Sequence, residues 1–115
     1  MKYNGVNIFV CNWLLGQGLA LFKKLIIIKL VKDSTKKYVH ITSTCQVIQH
    51  ELAHIKQRIL YGLIYLPKIL FQYIKYGYKK SPMEIEARGA ESPINGEIEK
   101  LVLDYCKQNN LLYYY

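Results

Sequence analysis

A change of hydrophobic period near residue 43 limits what this chain can fold into. Before it, apolar residues come in short β-branched runs. Gly5 to Cys11 (GVNIFVC) reads as a strand, and Leu25 to Val31 (LIIIKLV) as a stronger one. Asp33-Ser34-Thr35 is a turn signal. In Lys37 to Thr42, Tyr38, His40 and Thr42 alternate with Val39 and Ile41, as expected of the hairpin partner of Leu25–Val31. After it, Ile48, Leu52, Ile55 and Ile59 recur at helical spacing. Ser43 with Gln46 has capping-box form, so a helix is expected from about Thr44 to Tyr61, ending near Gly62.

Further helices are expected downstream. One starts around Pro67 and ends at Gly77. Ser81-Pro82-Met83-Glu84 is a second start signal, and Ser92-Pro93 a third. The third opens a helix whose stripe is Ile94, Ile98, Leu101, Val102 and Tyr105. The expected fold is α+β, a small β-sheet or hairpin followed by three to four helices, in one domain over residues 1–115. At 115 residues, 51% hydrophobic and 21% charged, the chain can bury its own core, which excludes a disordered or collagen-like chain.

The charge balance is basic: 16 Lys+Arg against 8 Asp+Glu, a net +8. Such an excess favours nucleic acid, anionic lipid or acidic proteins, and it also serves simply as a solvated lysine surface. Arg58 and Arg88 are isolated arginines and no nucleic-acid motif is recognisable, so nucleic acid is indicated by net charge alone. Cys11, Cys45 and Cys106 are odd in number and show no CxxC spacing. A disulfide framework and a cysteine zinc site are not expected, and a reducing, cytoplasmic compartment is. Residues 6–22 are apolar but are interrupted by Asn7, Asn12, Gln17, Gly16 and Gly18 and followed by Lys23 and Lys24. That order fits neither a secretory signal nor a spanning helix; contact with a membrane surface stays open.

The chemistry is concentrated in His50-Glu51-Leu52-Ala53-His54, an HExxH motif in the middle of the first expected helix. Two of the three histidines of the chain make it up. Residues four apart share a helix face, with Cβ atoms about 5–6 Å apart, so both imidazoles can reach one zinc ion. The pair lies well round from the Ile48–Ile59 stripe and can face a cleft. Glu51 projects beside the metal position, where a general base belongs.

A third ligand is required. The metzincin extension needs Gly at position 57 and His at position 60, where this chain has Gln57 and Leu60. No histidine follows His54, which leaves a downstream carboxylate. The stretch HELAHIKQ, followed by GLIYLPKILFQYIKYGYKKSPMEIEARGAE, resembles the minimal single-domain gluzincin zinc metallopeptidases over about residues 38–91. The resemblance implies a zincin-like fold with HExxH on the first long helix. It also implies one zinc ion, and a third ligand from ExxA on a second helix, which Glu84-Ile85-Glu86-Ala87 fits with Glu84 as ligand. Gluzincins carry Asp just after that Ala, or four residues after the ligand Glu, to orient a ligand histidine. Position 88 here is Arg, so that carboxylate has to come from Glu86 or Glu91, and Glu86 is the alternative ligand.

Other residues carry less. Glu84 also fits the third position of a capping box with Ser81. Gln57 shares the His50/His54 face and is either hydrogen-bonded to a ligand or solvated. His40 reads as a strand histidine near the motif helix. The many tyrosines between Tyr61 and Tyr78 do not single out one that meets the substrate. The expected function is a zinc-dependent metallopeptidase acting on a peptide or protein substrate. The alternatives are a non-catalytic zinc-binding module, or a basic protein that binds nucleic acid or a membrane surface.

Overall fold

The two strongest β-branched runs become the inner strands of a four-stranded sheet in the computed structural model, which describes all 115 residues. In chain order the strands are β1 (Lys2–Tyr3), β2 (Val6–Val10), β3 (Gly18–Phe22) and β4 (Leu25–Ile28). Their order across the sheet is β1-β2-β4-β3. β2 and β4 run parallel with Ile8 opposite Ile26, while β1 and β3 are antiparallel outer strands. Parallel inner strands buried under a helix need apolar residues, and Ile8, Ile26 and Ile28 are buried.

Strand β5 (Tyr38–His40) leads directly into helix α1 (Ile41–Tyr61). A short 3₁₀ turn (Gly62–Ile64) joins α1 to α2 (Tyr65–Tyr76). Then follow α3 (Pro82–Gly89), α4 (Gly96–Gln108) and a last strand β6 (Leu112–Tyr114). The fold is therefore α+β, with the small sheet first and the helices after it. Ile41, Cys45, Ile48 and Ile55 of α1 meet the sheet residues and Ile98, Val102 and Cys106 of α4 in one core cluster. Cys45 is a core residue: burial, aided by the negative charge of Glu99, pushes its thiol up to about 11. No helix is long and apolar enough to cross a membrane.

Several local expectations are corrected. Lys37–Thr42 is not the hairpin partner of Leu25–Val31. β4 is already flanked by β2 and β3, so β5 instead pairs in parallel with β6, Tyr38 opposite Leu112. Only a Lys32–Val39 bridge remains of the expected hairpin. Strands β1, β3 and β6 lie outside the expected strands. Helix α1 begins at Ile41, because His40 caps it in place of Ser43: His40 Nδ1 accepts the Ser43 amide at 3.2 Å. Helix α2 begins at Tyr65, with Pro67 inside its first turn. Helix α4 starts at Gly96 rather than at Ser92-Pro93, because Asn95 Oδ1 accepts the amides of Glu97 and Ile98. Ile59 is exposed, since the last turn of α1 projects past the core.

Candidate metal centre

Helix α1 is polar as well as apolar inside: Thr44, Gln49, Glu51, His54 and Gln57 are all buried on it. Buried polar groups need partners, and those of α1 build the site. Gln49 donates to the carbonyls of Ala90 (2.9 Å) and Pro93 (3.0 Å) and accepts the Asn95 amide (2.8 Å). It thereby pins the α3–α4 connection against α1. Ala87 of α3 is wholly buried, a small side chain that suits close packing of α3 on α1.

That packing brings Glu84 to the histidines. The Nε2 atoms of His50 and His54 lie 3.1 and 2.9 Å from Oε2 and Oε1 of Glu84. One ligand atom from each of the three residues lies within 4.8 Å of the others. Glu84 is not the capping partner of Ser81. The Ser81 hydroxyl donates to Oε1 of Gln72 in α2, and the same oxygen accepts the Met83 amide (both 3.1 Å). With that end of α3 satisfied by Gln72, the Glu84 carboxylate is left to turn inward.

The outer ring nitrogens are also engaged. His54 Nδ1 lies 2.9 Å from Oε1 of Gln57. The Gln57 amide is oriented by its Nε2, which donates to the Met83 carbonyl (2.9 Å) and to Oε1 of Glu86 (3.2 Å). Its oxygen therefore faces the ring, so Nδ1 of His54 carries a proton, and it is Nε2, now donating to Glu84, that would give up its proton to bind a metal. His50 Nδ1 lies 2.8 Å from Oε2 of Glu91, which fixes the second ring in the same sense. Glu86 reaches Gln57 rather than the three-residue cluster, and Glu91 supplies the carboxylate behind His50. Arg88 instead hydrogen-bonds the Lys79 carbonyl.

Glu51 is buried beside this cluster, in a cleft of about 330 Å³ that it shares with His50, Glu84, Tyr78, Arg88 and Gly18. Burial raises its carboxyl above the usual range, against the pull of His54 and His50. Burial works the same way on Glu84, but hydrogen bonds from His50, His54 and Tyr73 outweigh it and hold that carboxyl well below the usual range. Burial alone would lower His50; its hydrogen bonds to Glu84 and Glu91 prevail and raise it to about 9. His54 is likewise raised, by Glu84 and Gln57 against burial.

Two further contributors are hard to read from the sequence. Tyr73 donates its hydroxyl to Oε1 of Glu84 at 2.7 Å. Tyr65, Ile69 and Tyr73 follow one another at intervals of four along the inner face of α2, the one signal that singles Tyr73 out. Gly18, at the start of outer strand β3, touches Glu51: a Cβ there would lie 2.8 Å from Glu51 Cγ and 3.1 Å from Oε1. Nothing in the local sequence announces that contact. His40 caps α1 and lies against Tyr114, with no part in the cleft. The largest cavity, about 500 Å³, is lined by Tyr3, Leu52, Ile55, Ile59 and Ile98 and includes none of the three cluster residues. His50, Glu51 and Glu84 line the smaller cleft instead.

The donor set fits a divalent metal. Two imidazole nitrogens and one carboxylate converge, and each ring is oriented by a hydrogen bond from its far nitrogen, the usual surroundings of a zinc ligand. No family model, curated protein or solved structure matches this chain.

Proposed function

We propose that this protein is a zinc-dependent metallopeptidase, with His50, His54 and Glu84 as the zinc ligands and Glu51 as general base. The observation that carries this reading is the convergence of two Nε2 atoms on one buried carboxylate, with both Nδ1 atoms tied off by Glu91 and Gln57. When bound, zinc supplies a Lewis acid for a carbonyl oxygen and brings the ionisation of water towards neutral pH. Glu51 accepts the proton of the attacking water at its carboxylate. It then delivers that proton to the peptide nitrogen as the C–N bond breaks. A carboxyl whose affinity for protons is raised by burial suits this task.

Tyr73 and Gln57 hold Glu84 and His54 in place from the side away from the cleft. Two features favour a peptide as substrate. One is the resemblance of HELAHIKQ and SPMEIEA to the minimal gluzincins. The other is β3, an outer strand whose first residue adjoins Glu51, so that an extended chain can lie along it beside the base.

The test is elemental analysis of the purified chain with hydrolysis of an unfolded protein substrate. One zinc per chain is expected, lost in His50→Ala and Glu84→Ala. Glu51→Gln should keep the metal and lose hydrolysis by about 10²-fold or more. A folded chain that takes up no zinc, or hydrolysis that survives Glu51→Gln, overturns the reading.

A further inference from the structure

Helix α2 has two apolar sides. Tyr65 and Ile69 pack inward. On its solvent side Leu63, Leu66, Leu70 and Ile74 recur at three, four and four residues and are exposed, Leu63 at 99% and Ile74 at 86%. Phe71 widens this stripe, and Leu60 continues it back towards α1. An unbroken apolar face of this kind on a surface helix marks an interaction site.

The charges around it choose the occupant. From Leu52 to Met83 the chain contains no Asp or Glu, but it carries Lys56, Arg58, Lys68, Lys75, Lys79 and Lys80. Lys75 reaches over the rings of Phe71 and Tyr76, Lys68 over Tyr61, and Lys79 and Lys80 follow in the turn after α2. A second copy of the chain on this face would bring the same cations with no carboxylate to meet them. An anionic bilayer surface meets both features: acyl chains take the leucine stripe, and lipid phosphates and carboxylates take the lysines. The helix has 12 residues, too few to span, so it would lie in the interfacial plane.

We infer that the outer face of α2, with the 3₁₀ turn before it, is a peripheral docking surface for anionic lipid membranes. This is independent of the metallopeptidase reading and would stand if no zinc were bound.

The test is vesicle flotation of the full chain with phosphatidylcholine alone and with phosphatidylcholine mixed with phosphatidylserine. The chain should float with the mixed vesicles, stay behind with the neutral ones, and be released by high salt. Lys75→Gln/Lys79→Gln/Lys80→Gln should weaken binding roughly a hundredfold. Leu66→Ser/Leu70→Ser/Ile74→Ser, at exposed positions and checked for native circular dichroism, should abolish it. Absence of the wild-type chain from anionic vesicles overturns the inference. So does serine-variant binding equal to wild type, which would move the contact to another surface such as the exposed Trp13. Sedimentation of the wild-type chain as a dimer that the serine variant loses would assign the face to a second copy and overturn it as well.

Discussion

The Tyr73 hydroxyl and Oε1 of Glu84 are 2.7 Å apart, so α2 and α3 are joined at the carboxylate that faces both histidines. Tyr73→Phe removes that donor without changing the ring. It should weaken zinc binding about tenfold, the usual effect of losing a hydrogen bond to a ligand. Competition with a chelator at fixed pH measures this. Unchanged affinity would mean that the hydroxyl does not hold the ligand.

Gly18 leaves no room for a side chain. Gly18→Ala would bring a Cβ to 2.8 Å from Glu51 Cγ and 3.1 Å from Val47 Cγ1. Either β3 or Glu51 must move. The expected result is intact zinc binding, hydrolysis reduced by about tenfold or more, and a stability loss of about 1–3 kcal/mol. Zinc content, turnover and urea denaturation separate these effects.

The metal-free cluster should respond to pH in a defined direction. His50 rises from 6.5 to about 9 in the folded chain, so its contribution is fully present below pH 6.5 and is lost as pH climbs through 9. Glu84 acts oppositely. Its folded-state value is depressed, so its contribution holds above the usual carboxylate range and fades only in strong acid. Urea midpoints of the metal-free chain should therefore fall between pH 6.5 and 9.5, by of the order of 2 kcal/mol in unfolding free energy. Zinc affinity should rise over the same interval, because the imidazoles must release protons to bind metal. A midpoint that is flat across it would contradict the ion-paired arrangement.

Gln49 secures the connection that carries Glu91. Gln49→Ala would leave the carbonyls of Ala90 and Pro93 and the Asn95 amide without their partner. A destabilisation of about 2–4 kcal/mol is expected. Zinc binding should weaken with it, since Glu91 then orients His50 less firmly. Gln49→Glu should rescue only part of this, as a carboxylate can accept the amide but cannot donate to the carbonyls.

Features that depend on neighbours a few residues away were legible in the chain alone. The helical period over Ile48–Ile55 and the four-residue spacing of His50 and His54 are local facts, and one helix turn enforces their common face. The strand character of Val6–Val10 and Leu25–Ile28 is equally local, because β-branched side chains suit an extended backbone. Which elements met depended on contacts between distant parts of the chain. Strand β3 has no clean alternation, and its existence depends on the free edge of β4. Strand β6 is a short tyrosine-rich segment that is ordered by pairing with β5 from far back along the chain. The early start of α1 came from His40, which competes for the cap that Ser43 promised. At the site, the direction of Glu84 was undetermined until Gln72 took over the start of α3 and freed the carboxylate to turn inward. Tyr73, Glu91 and Gly18 reach the cluster across separations where chain geometry imposes no register. Their positions are settled by how α2, α3 and β3 pack on α1, and packing is a property of the whole fold.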